Sequence, residues 1–126
     1  MIEEGYVNYD VARLLKDKGF DEKCFVHYAD DGRYMVHTES PYYNSILPNQ
    51  KECTIPTQAL VLKWLRDKHK IVCNICIESR NFYYYSIFLI RSGVEAQFQS
   101  VSPKPYYETY ESACNAAIKY CLEKFV

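Results

Sequence analysis

Hydrophobic positions return at helical spacing in three stretches of the chain. In the first, Val7, Val11, Leu14 and Leu15 fall on one face. Asn8 is placed to cap this helix, Asp10 suits its positive end, and Gly19 follows Lys16 and Lys18 as a stop. The spacing predicts a helix over 5–20. A second stretch, 57–68, puts Val61, Trp64, Leu65 and Lys68 on one side, with Pro56 just ahead of it. The third, 109–125, carries Cys114, Ala117, Ile118, Cys121, Leu122 and Phe125 as an apolar stripe behind a Thr or Ser cap at Thr109 or Ser112.

Between the helices the pattern shortens to period two. Residues 24–28 and 34–38 read as strands joined through Asp30-Asp31-Gly32-Arg33, where Asp-Gly signals a two-residue hairpin turn. That turn pairs Tyr28 with Met35 and Val26 with His37. Both faces carry apolar residues, so the buried side stays open between Val26/Tyr28 and Phe25/Ala29. Residues 71–78 and 82–90 form a second hairpin about Arg80-Asn81. With a two-residue turn, one face collects Ile71, Cys73, Ile75 and Ile77 with Tyr84, Phe88 and Ile90, and reads as core. The other collects Val72, Asn74, Cys76 and Glu78 with Tyr83, Tyr85, Ile87 and Leu89, and reads as a mixed, partner-facing surface. Residues 39–56 and 93–107 read as Pro-marked loops.

The order α-β-β-α-β-β-α predicts one α+β domain over 1–126. Its four-stranded, mostly antiparallel sheet carries the helices on one face. Val11–Lys18 also lies on Val61–Lys68 at a constant offset of 50, with four of eight positions identical. Two readings stand side by side: a duplicated helix-hairpin unit, and two unrelated amphipathic helices.

Composition narrows the function. The 126 residues are 48% hydrophobic and 25% charged with a net charge of -1, which excludes a disordered chain and a polycation. The longest apolar run, Ile87–Ile90, is too short to span a bilayer. The start Met1-Ile2-Glu3-Glu4 has no secretory character, so a cytoplasmic location is expected. The six cysteines are then expected as thiols in a core, not as a disulfide framework.

No residue set carries a recognisable reaction. Cys73-x-x-Cys76 sits in a strand, where residues three apart face opposite sides and cannot share a centre. Cys24-x-x-His27 fails for the same reason, and His37 lies at diagonal distance from Cys24. His69 reads as a solvated helix end. The carboxylates look like termini, turns and caps, and only four glycines are present for any phosphate cradle. No catalytic residue, metal or cofactor is expected. Lys63, Arg66, Lys70 and Arg80, with tyrosines nearby, are the best nucleic-acid cue.

The 13 tyrosines remain. Tyr42-Tyr43 and Tyr106-Tyr107 follow Ser-Pro in loops, and Tyr84 reads as core. Tyr83 and Tyr85, with Ile87 and Leu89, form the candidate interaction surface, because Tyr is enriched where a partner buries it.

Three blocks carry a family resemblance: Val11–Phe20; Ile55–Ala59 running into Lys63–Arg66; and Tyr110–Ala113 with Ala117–Glu123. In this order they resemble small proteins of Bacteroides-type gut bacteria and their phages and prophages. The resemblance implies a mobile-element origin and a cytosolic accessory role, and it assigns no site. The expected function is a non-enzymatic protein-interaction module with a protein partner or a second copy. Single-stranded nucleic-acid binding and an enzyme centred on Cys24, His27 or His37 stand as alternatives.

Overall fold

Asn8 starts the first helix as its spacing predicts. Its side-chain oxygen accepts from the Val11 backbone N–H at 2.9 Å, at the head of α1 (Tyr9–Asp17). The helix ends in a Schellman motif: Phe20 N–H donates to Leu15 and Gly19 N–H to Lys16, with Gly19 at φ +91°. The computed structural model describes residues 5–77, 82–91, 94–99 and 106–126. The chain forms two compact units, Met1–Thr57 and Gln58–Val126.

In the first unit, α1 is followed by β1 (Val26–Tyr28), β2 (Tyr34–Val36), a single 3-10 turn (Asn44–Ile46) and β3 (Cys53–Thr54). The strands form an antiparallel sheet in the order β2-β1-β3. The expected hairpin exists, but its register is shifted by one: Tyr28 faces Tyr34 and Val26 faces Val36. Only Gly32 takes a positive φ, and Ala29 N–H donates to Arg33 while Gly32 N–H donates to Ala29. The turn is therefore the three-residue kind with glycine alone in the left-handed position, which adds one residue to the connection. Alternation then places Tyr28 on one side of the sheet, where its ring lies 4.3 Å from that of Tyr9 on α1. His27 lies on the other side, and Phe25 is exposed.

Two side chains hold the long segment 39–56, which contains β3 and is not all loop. Asn44 is buried, donates to the Phe20 carbonyl at 2.8 Å and accepts from Thr54 N–H at 2.9 Å. The Lys16 ammonium donates to the carbonyls of Leu47, Asn49 and Glu52 at 2.7, 2.9 and 2.7 Å. These three acceptors satisfy an ammonium's three donors.

The second unit runs α2 (Gln58–His69), β4 (Ile71–Ile77), β5 (Tyr83–Arg91), β6 (Val94–Gln99) and α3 (Tyr110–Lys124). Thr109 caps α3 by accepting from Ser112 N–H. The stripe from Ala113 to Leu122 is fully buried, and α2 and α3 both pack on β4. The Gln58 amide donates to the Glu111 carbonyl at 3.0 Å and ties the start of α2 to that of α3.

The strands form a second antiparallel sheet, β4-β5-β6, in which β6 replaces part of the predicted loop. The α+β class holds, but the predicted single four-stranded sheet is instead two sheets, one per unit. Each hairpin recruits a short third strand that the hydrophobic pattern did not mark. In the first unit that strand pairs with β1, and in the second with β5, so the two helix-hairpin segments are extended on different strands.

Candidate functional site

The predicted surface Tyr83, Tyr85, Ile87 and Leu89 is the inner face of the second sheet. Ile71 faces Leu89, Cys73 faces Ile87, Ile75 faces Tyr85 and Ile77 faces Tyr83. Residues directly opposite in an antiparallel pair share a face, so this set joins Ile71, Ile75 and Ile77 on the face that α3 packs against, with Ile77 at its exposed end. Ile87 is fully buried and Tyr85 nearly so, with Tyr120 of α3 6.2 Å from the Tyr85 ring. Burial pushes the Tyr85 phenol up to about 12. The reason is a one-residue register shift, which moves every side chain of a strand to the other face. Pairing ends at Ile77 and Tyr83, leaving an odd number of residues between them where a two-residue turn needs an even number. Tyr84 and Phe88, read as core, instead share the outer face with Val72, Asn74 and Cys76.

The basic residues are better placed. Lys63 and Arg66 are exposed on α2 and Lys70 is exposed just after it, while Arg80 lies outside the described residues. Lys70 takes φ 58° just after the helix and its ammonium donates to the Asp67 carbonyl at 3.3 Å. His69 is half-buried, with its ring 4.6 Å from that of Trp64 and edge-on to it. Of the tyrosines expected to join these cations, Tyr85 is in the core and Tyr83 is half-buried.

The groups named for an enzyme converge only in part. His27 Nδ1 and His37 Nε2 are 2.6 Å apart, and the Tyr42 ring stacks on both at 4.5 and 3.8 Å. The shifted register produces this contact by setting His37 diagonal to His27 on one face. Burial first, and then His37, lowers the His27 pKa, against a smaller upward pull from Glu52. Cys24 is buried and its thiol is pushed up to about 11, which is the reverse of nucleophile activation. Among the described residues no three His, Cys, Asp or Glu side chains are grouped to hold a metal ion. No described helix is long and apolar enough to cross a membrane.

The strand β2 was expected within 34–38, but sequence reasoning missed its exposed edge. It is the edge of its sheet, and all three residues are exposed: Tyr34 by 56%, Met35 by 39% and Val36 by 70%. Phe25, just before β1, is 49% exposed. His37 N–H donates to Phe25 and Ala29 N–H to Arg33. Odd-numbered residues of this hairpin therefore turn their backbone groups inward, and Tyr34 and Val36 turn theirs away from β1. Edge strands are usually blunted by charge, Pro or a bulge, and Tyr34-Met35-Val36 has none of these. The signal was visible as three apolar residues in succession, but only the structure shows that β3 pairs with β1 and that, among the described residues, β2 is left at the sheet edge. No known protein family, curated protein or solved structure matches the chain.

Proposed function

We propose that this chain is a non-enzymatic protein-interaction module acting in the cytoplasm, of the phage or prophage type its three sequence blocks resemble. In this reading its contact element is β2, and the partner is a second copy of the same chain. The observation that carries it is the open, uncharged edge Tyr34-Met35-Val36. This edge is self-complementary. In an antiparallel pair of β2 strands, the outward N–H and C=O of Tyr34 meet those of Val36 in the other copy, with Met35 opposite Met35. Such a twofold contact is isologous and closes on two chains. It is short, so the expected dimer is weak and concentration-dependent.

Sedimentation velocity from low micromolar concentration to the solubility limit tests this reading. The wild-type chain should shift from monomer to dimer. Val36→Pro removes an outward-facing N–H, which an edge strand tolerates, and should stay monomeric with an unchanged circular dichroism spectrum. A wild-type chain that stays monomeric throughout overturns the reading.

Exposed Lys63 and Arg66 on α2, with Lys70 just after it, support a second reading, binding of single-stranded nucleic acid. A gel shift at low salt that is lost as salt rises would favour it, and no shift at low salt would remove it.

A further inference from the structure

Cys73 and Cys76, two residues of one strand, have separate fates. The Cys76 thiol lies 3.9 Å from the Asn74 carbonyl on the outer face of β4. Cys73 points inward, and its Sγ is 3.3 Å from Sγ of Cys121 on α3. A disulfide bond is about 2.0 Å long, so the two sulfurs need to approach by little more than an ångström. Cys121 is fully buried, whereas Cys73 is half-buried and is the sulfur a small oxidant meets first. Cys114 also lies on the buried stripe of α3, but the direct sulfur contact is between Cys73 and Cys121.

We propose that Cys73 and Cys121 are a modification site at which a small peroxide joins β4 to α3 through a reversible disulfide. The Cys73 thiolate attacks a peroxide oxygen, the O–O bond breaks, and Cys73 becomes a sulfenic acid while hydrogen peroxide leaves one water. The Cys121 thiolate then attacks the Cys73 sulfur, the S–O bond breaks, and the oxygen departs as a second water. Two thiols lose two electrons and two protons, and one peroxide is reduced to two waters. A thiol reductant reverses the step.

The surroundings set the rate. The hydrogen bond to Cys121 and burial together hold the Cys73 thiol well above its ordinary range, and burial holds Cys114 up to about 12. The thiolate is the attacking species, so the cross-link forms slowly at neutral pH and responds to sustained exposure. Its rate climbs about tenfold per pH unit through mildly alkaline pH, without the plateau of a low-pKa sensor cysteine.

The experiment uses the full chain carrying Cys76→Ser, so that Cys73 is the one cysteine in the tryptic peptide 71–80. The native protein is treated with hydrogen peroxide, then denatured, alkylated and digested. The expected product is peptide 71–80 joined to peptide 120–124, with two fewer alkylated thiols and full reversal by reductant. Melting followed by Trp64 fluorescence should shift upward in the oxidised form and return on reduction. Full alkylation of Cys73 after treatment overturns the proposal. So does irreversible oxidation of Cys73 without a cross-link, or its pairing with Cys114.

Discussion

Asn44 holds three segments with one side chain. Its amide joins the segment after α1, its own turn and β3, through Phe20 and Thr54. Asn44→Ala leaves a carbonyl and an N–H buried without partners and should cost about 2–4 kcal/mol in a denaturant titration. Asn44→Asp keeps the acceptor for Thr54 but sets an oxygen against the Phe20 carbonyl, so it should not rescue the loss at neutral pH. Lys70 illustrates the opposite case, a residue its conformation does not favour. Its φ of 58° is a glycine angle, and Lys70→Gly should stabilise the chain by about 0.5–1 kcal/mol by thermal melting. His27 makes stability depend on pH. Its folded pKa lies below the ordinary 6.5, so the unfolded chain binds the proton more readily. Its contribution is complete above pH 6.5 and is lost as pH falls from there through the folded pKa. Chemical denaturation should find the chain weaker at pH 5 than at pH 7.5, with the difference reduced in His27→Gln.

At the scale of elements, the helices were legible and the strand registers were not. The α1 cap at Asn8, the Gly19 stop and the stripe on α3 each follow from a local signal that acts alone. A register depends on the count of residues in a turn, and both hairpins differ by one residue from the reading as two-residue turns. In the second hairpin that single residue exchanged the candidate surface for the core, because Ile87 and Tyr85 fit beneath α3. The third strands β3 and β6 were not legible, since each is stabilised by the strand it joins more than by its own pattern. Leu122 offers an element-level test of the docking of α3. It is fully buried, and Leu122→Ala should cost about 2–5 kcal/mol by denaturant unfolding.

At the scale of the molecule, the balanced charge separates the two functional readings. A net charge of -1 provides no long-range attraction for a polyanion, so any nucleic-acid binding must come from the local cations on and just after α2. Contact through β2 rests on backbone pairing and apolar side chains. Dimerisation should therefore change little between low and moderate salt, and Lys63→Glu with Arg66→Glu should leave it intact in sedimentation runs. Tyr34→Lys should weaken it. The aromatic excess of the sequence is spread through the fold: Tyr85 in one core, Tyr42 over two imidazoles, Tyr34 on an exposed edge.

The Lys16 clamp has a bearing on how this protein can vary. Its three acceptors are main-chain oxygens of Leu47, Asn49 and Glu52, which any amino acid would supply. Substitutions at exposed Gln50 or Lys51 leave the clamp untouched, whereas inserting or deleting one residue there moves the Glu52 oxygen out of step with the other two. The segment thus behaves as a ruler: among natural or engineered variants it should tolerate changes of spelling while conserving its length.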